Sequence, residues 1–283
     1  MVMTWVRRNA KQIVLLVVLT MLAILWLLPI LWAISTSLKP NPHTYRHPPR
    51  WIPEVATLEN FREVFFTIRT TPIWRAYYNS LVVSISTTFL VLVVSSLAAY
   101  ALARLDFPGR NLIFAIIVSS LLIPGQITLI PVFLRLHRWG WLNTYKALIV
   151  PALAGPFAVF LLRQFMLSIP RDLEDAARID GCSKFRTFYT IVLPLIKPAL
   201  TTLAIFTFFG SWNDFMWPLI TMTRRNMMTL PVALQAYLAA FNYMIEAGYI
   251  LAASVAATVP PAVFFLVFRR YIIKGIALSG LKL

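Results

Sequence analysis

The chain is 283 residues long, 59% of them hydrophobic and only 13% charged, where soluble domains carry about 25% charged residues. So few charges cannot keep a surface of this size in water, so the excess apolar area must face lipid. The net charge of +16 does not mark a nucleic-acid partner: Lys and Arg form no single stripe and fall in the gaps between apolar runs, where lipid confines them. The single Cys182 excludes an internal disulfide and a cysteine-based metal site, and His43, His47 and His137 have no metal-ligand spacing.

A helix needs about 20 mostly apolar residues to cross the hydrocarbon, and six stretches meet that requirement. In chain order they are 13–34, 81–103, 112–133 (interrupted by Pro124-Gly125), 147–165, 199–220 and 248–268. Arg7, Arg8 and Lys11 before the first give it the look of a signal peptide. Its apolar run is too long for one, and it reads as an uncleaved first helix. Segment 35–79 is too rich in Pro, Trp and charge to insert, but Phe61, Val64 and Phe65 predict a short helix at the membrane surface. Pro29, Pro124, Pro131, Pro151, Pro156 and Pro260-Pro261 sit in or beside spans, where broken backbone hydrogen bonds must be answered by protein or water.

An even number of spans puts both termini on one side. That side holds 15 Lys and Arg against 11 on the other, six of which lie in the long 35–79 segment and so count for less. Both termini are therefore expected in the cytoplasm, and with them the loop 168–198. In this loop Asp172, Glu174 and Asp175 suit the positive end of a short helix. Gly181 is placed as its left-handed stop, and Ser183 can cap a second helix bearing Phe185, Phe188, Tyr189 and Val192. Pro194 and Pro198 are expected to end it. With Asp180, the residues Asp172, Glu174 and Asp175 make four acids, which render the first helix a poor fit to anionic headgroups and a better one to a protein partner.

Asp175-Ala176-Ala177, Asp180-Gly181 and Ile191-x-Leu193-Pro194 resemble the E-A-A-x-x-D-G-x9-I-x-L-P signature of ABC importer permease subunits, with Asp175 in place of the usual Glu. Asn79-Ser80, Ala98-Ala99-Tyr100-Ala101, Phe107-Pro108-Gly109, Pro124 with Gln126, Pro131, Leu142-Asn143-Thr144, Trp212-Asn213-Asp214-Phe215, Trp217-Pro218-Leu219 and the ending GIALSGLKL continue the likeness along the chain. The carbohydrate importers, specifically those with a maltose-type G subunit, are the family it resembles. The resemblance implies an all-α membrane protein of six transmembrane helices with the type I ABC importer permease (MetI-like) fold and a cytoplasmic coupling-helix loop. It also implies an ATP-binding subunit dimer, a second permease subunit and an extracytoplasmic solute-binding protein as partners. Contact with the ATPase would fall to Glu174, Asp175, Ala176, Ala177, Asp180, Gly181, Phe185, Leu193 and Pro194. No glycine opens a phosphate-binding G-x4-G-K-[ST] loop, so ATP is expected on the partner and no cofactor on this chain.

Asp214 is the only acid within the apolar run of span five, and an ionisable group at membrane depth is a candidate for function. With Trp212, Asn213, Phe215 and Trp217 it offers the mixture of aromatic faces and amides that suits a sugar. A structural Asp near an interfacial aromatic belt is the competing reading. Cys182 reads as a packing residue and Arg163 as a side chain snorkelling to headgroups. Glu246 and Arg224-Arg225 read as lying outside the membrane. A sugar importer permease is the leading function. The rivals are a permease for glycerol-phosphate or polyamine, which would need charged groups along the path, and an ion-coupled secondary transporter, which would need no ATPase.

Overall fold

The computed structural model describes residues 2–44, 48–67, 73–240 and 243–280. The features expected at Arg7, Arg8, Lys11, His47, Glu246 and the 275–283 ending fall outside the residues or side chains so described. Every regular element among them is a helix. Three helices are long and apolar enough to cross a membrane: Gln12–Ser37, within α1 (Val2–Ser37); α3 (Ile73–Arg104); and Ala247–Phe268, within α14 (Tyr243–Gly280). Three bent pairs pass the same test together. They are α4 (Arg110–Ser119, extended to Leu122) with α5 (Gly125–Arg138), bent by 102°, and α6 (Tyr145–Ala152) with α7 (Pro156–Leu167), bent by 42°. The third joins Lys184–Leu195 to α11 (Lys197–Trp212) at 76°. With each pair taken as one span the total is six.

The chain divides into two compact units, one of residues 1–74 and 234–259, the other of 75–233 and 260–283. In the first, Gln12–Ser37 presents nearly every large side chain outward, as lipid requires. The segment that follows is folded rather than flat. Asn60, on α2 (Glu59–Arg62), donates from Nδ2 to the carbonyls of Ser37 (2.7 Å) and Lys39 (2.7 Å). Lys39 donates to the Arg50 carbonyl at 2.6 Å and lies 4.3 Å over the Trp32 ring. A π turn, Glu63–Thr67, continues α2 and buries Val64 completely, and the Tyr237 hydroxyl meets the Val64 carbonyl at 3.4 Å. Val64 thus packs into protein, where the helical spacing had placed it on a membrane surface.

In the second unit, α3, α7 and the 184–203 run share one core of Val91, Ala99, Tyr100, Ala103, Ala158, Leu162, Met166, Phe188, Val192, Ile196, Ala199 and Leu203. Lipid tails are as apolar as Leu, so helices here associate by close packing rather than by escape from water. Ala99, Ala103, Ala158 and Ala199, each at most 4% exposed, give that close approach.

Two expectations change. Span five does not run on from 199 to 220: α11 stops at Trp212, and α12 (Met216–Thr221) starts after a break. The Asn213 side chain donates to the Phe209 carbonyl at 3.0 Å, which helps to close the helix where Pro218 further on would interrupt it. The second loop helix passes through a π turn over Phe188–Val192 and stops at Leu195, between Pro194 and Pro198 as expected. Arg163, expected to reach only headgroups, has partners in the protein. Its Nε donates to the Leu102 carbonyl at 3.2 Å and its guanidinium lies 3.8 Å over the Phe114 ring. The apolar helix α13 (Leu230–Ala240) was not foreseen; Ser80 accepts the Leu230 N–H at 2.8 Å near its start.

Candidate functional site

The residues the sequence nominated lie in two places in the second unit, the 168–198 loop and the break at 213–215. In the loop, α8 (Asp172–Ile179) ends as the sequence predicts. Gly181 takes φ +78°, the Cys182 N–H reaches the Ala177 carbonyl (2.9 Å) and the Gly181 N–H reaches that of Arg178 (3.0 Å). This is the Schellman pattern, which satisfies carbonyls that a helix end leaves bare. No heavy atom lies within 4 Å of where a Cβ would stand, so glycine is present for its backbone freedom and not for space. Ser183 accepts the Arg186 N–H at 3.3 Å and opens α9 (Lys184–Thr187) as its cap.

The underside of the loop is tied to α3. The Tyr100 hydroxyl donates to the Lys184 carbonyl (3.2 Å) and its ring lies 4.9 Å from Phe188. Arg104 donates to the carbonyls of Met166 (2.5 Å) and Ile169 (2.7 Å). Its Nε is also 2.7 Å from Glu174 Oε1, with the two side chains 4% and 11% exposed. That N–H is not aligned on the carboxylate, so the contact is an ion pair rather than a linear hydrogen bond. Glu174 therefore faces inward, while Asp175, paired with Arg178 at 3.2 Å, faces out with Asp172 and Asp180. Ala177 is buried beneath the loop, Ala176 and Pro194 are exposed, and Leu193 is half-buried. The outer surface also carries Ile179 at 87%, Phe185 at 69% and Tyr189 at 65% exposure. Large apolar side chains exposed among acids make this loop a candidate contact surface.

At the break, Asp214 accepts the backbone N–H groups of Phe215 and Trp217 at the start of α12. It borders two hollows that share Leu148 and Ala152. One, of about 320 Å³, is lined from α3 by Val83, Thr87 and Val91 and from α11 by Thr207, Gly210 and Ser211, with Thr229 nearby. The other, of about 400 Å³, is lined by Gln126, Thr128, Pro151, Met216 and Trp217 among others. Thr87 and Thr229 each bury a hydroxyl with no partner among the described residues. Neither hollow has a Lys, Arg or His in its wall.

Of the five residues the sequence nominated here, Asp214 and Trp217 border the hollows, and the Trp217 indole N–H is held by the Ala147 carbonyl at 2.9 Å. Trp212 borders neither. It is 3% exposed and packs edge-on to Tyr77 at 5.7 Å. Asn213 is exposed and Phe215 half-buried, and neither lines a hollow. Thr87, Thr207, Ser211 and Thr229 were missed. Ser80, Ser84 and Thr87, a polar row at helical spacing within an apolar span, were the available signal.

Up to six apolar spans, a loop with large exposed apolar side chains, and two hollows that meet at Asp214 are features that a membrane transport subunit would have. Residues 92–277 match the family described as binding-protein-dependent transport system inner membrane component, and the chain belongs to that family. It is 40% identical over 232 residues to the arabinooligosaccharides transport system permease protein AraQ of Halalkalibacterium halodurans, with 81% of each chain covered. It is 36% identical over 207 residues to the diacetylchitobiose uptake system permease protein NgcG of Streptomyces coelicolor, covering 72% of this chain and 68% of the relative. The sn-glycerol-3-phosphate transport system permease protein UgpE of Escherichia coli is 34% identical over 235 residues, covering 82% and 84%. Among solved structures, a bacterial ABC transporter involved in the import of the acidic polysaccharide alginate superposes with TM-score 0.81 at 22% identity, covering 93% of this chain and 96% of that one. This likeness shows the fold. The chain is a multi-pass ABC importer permease subunit of the type I fold.

Proposed function

We propose that the chain forms half of a translocation pathway for a sugar, and that its 168–198 loop docks on a separate ATP-binding subunit in the cytoplasm. A second permease subunit would form the other half, and an extracytoplasmic solute-binding protein would deliver the sugar. ATP would be held by the partner dimer, with no cofactor on this chain. Both termini would be cytoplasmic. The observation that carries this reading is the loop surface, where Ile179, Phe185 and Tyr189 stand exposed beside Asp172, Asp175 and Asp180 on a base anchored by Arg104. Rigid attachment below and an adhesive surface above are what a lever between two subunits needs.

The cargo reading rests on the hollows around Asp214. Hydroxyls and one carboxylate without a cation suit a polyol, whereas a phosphate ester would call for Arg or Lys. Arabinooligosaccharide and diacetylchitobiose uptake, named for two of the relatives, support a sugar, and the glycerol-phosphate relative keeps the second reading in view. A photo-crosslinking amino acid at Phe185, in membranes holding the whole transporter, tests the docking. The ATP-binding subunit should be the labelled protein. Labelling by lipid alone from Ile179, Phe185 and Tyr189 would overturn the reading.

A further inference from the structure

The transport reading leaves unused a group of cations at the other end of the second unit. α5 ends in Arg135, His137 and Arg138, Trp139 and Trp141 follow, and Lys146 lies in the first turn of α6. Asn143 donates its backbone N–H to the Thr221 carbonyl (3.0 Å), and its Oδ1 accepts the Arg224 N–H (2.7 Å), which brings Arg224 and Arg225 to the same end. The bent pair of α6 and α7 leads from Lys146 to the 168–198 loop, so the cluster and the loop occupy opposite ends of one span.

Arg135, Arg138, Lys146, Arg224 and Arg225 are all exposed, and none forms an ion pair among the described residues. No Asp or Glu occurs between 107 and 171 or between 215 and 245. Aromatic rings link the cations: Arg135 lies 5.7 Å over Trp139, Trp139 is 5.1 Å from Trp141, and Lys146 lies 5.8 Å over Trp141. In the proposed orientation these five cations stand on the side the positive-inside rule disfavours, so they work against the insertion bias that the other end supplies. A negatively charged ligand would offset that cost.

Pro131, Leu134, Arg135, Arg138 and Trp139 line an open hollow of about 340 Å³. Ile127, Ile130 and Leu134, exposed at helical spacing along α5, run from it back towards the bend at Pro124. We propose that this hollow binds an anionic phospholipid, its phosphate held between the guanidiniums of Arg135 and Arg138 and an acyl chain lying along Ile127, Ile130 and Leu134. A guanidinium fork matches phosphate oxygens, and an exposed Trp is at home at headgroup level. An acidic soluble protein would answer the charge but not the apolar row beneath it.

Native mass spectrometry of the intact transporter, titrated with phosphatidylglycerol or phosphatidylcholine, tests the proposal. Phosphatidylglycerol should be retained more strongly. Replacing both arginines (Arg135→Gln, Arg138→Gln) should lower its retention by about fivefold per cation and leave phosphatidylcholine unchanged. The single Arg138→Gln change should show part of the loss, which covers the case in which the double variant assembles poorly. Soluble glycerol phosphate should not compete at concentrations where the lipid binds. Equal retention of the two lipids, unchanged phosphatidylglycerol retention in both variants, or displacement by glycerol phosphate would overturn it. So would a loss confined to binding of an acidic soluble protein.

Discussion

Glu174 and Asp175 are neighbours in sequence with the same charge, yet their surroundings assign them different work. Glu174 is almost enclosed against Arg104, and removing one partner of such a pair costs about 3–5 kcal/mol because the other charge is left buried. Asp175 and Arg178 are 57% and 72% exposed, where a pair contributes under about 1 kcal/mol. Glu174→Ala should therefore loosen α8, seen as faster hydrogen exchange at amides 172–180, while Asp175→Ala leaves exchange unchanged and weakens retention of the ATP-binding subunit. Equal exchange in the two variants would contradict the division. The sequence alone supported the turn at Gly181, because an Asp-Gly step after a short acidic helix has a local cause. It could not say which of two adjacent acids turns inward, since that depends on Arg104, seventy residues away in the chain.

Among the elements, α14 shows how closely the outer segment is fitted. A Cβ on Gly248 would stand 2.5 Å from Asn41 Oδ1 and 2.8 Å from Asn60 Nδ2. Neither amide is free to yield: Asn41 accepts the Gly248 N–H at 3.0 Å, and Asn60 holds the carbonyls of Ser37 and Lys39. Gly248→Ala should cost about 1–3 kcal/mol through overpacking, read as a lower melting temperature of the detergent-solubilised subunit, whereas Gly210→Ala, with open space around it, should not. An unchanged melting temperature for Gly248→Ala would show that the segment rearranges freely. Composition made the apolar runs legible, and Pro124-Gly125 marked a break that proves to be a 102° bend. The stop at Trp212 was hidden, because Asn213 and Asp214 end the helix through hydrogen bonds to nearby backbone within a run whose composition stays apolar. Helix α13 was hidden too, being too short to read as a span.

For the whole molecule, orientation and coupling stand together. After Cys182→Ser, a cysteine placed at the exposed Ile52 should react with a membrane-impermeant maleimide from outside intact cells, and one at Lys184 only after the membrane is opened. Reversed labelling would put the loop on the wrong side for an ATPase. The central claim, that the 168–198 loop transmits ATP hydrolysis to the pathway, is tested most directly through Gly181. Its φ of +78° suits Gly and is tolerated by Asn, but strains Val by about 1–3 kcal/mol, although the space around it is open. Sugar uptake and ATP hydrolysis should be measured together in proteoliposomes holding the complete transporter. With Gly181→Val, uptake should be lost and hydrolysis should no longer respond to the loaded solute-binding protein, while Gly181→Asn keeps most of both. Full uptake with normally stimulated hydrolysis in Gly181→Val would contradict the account.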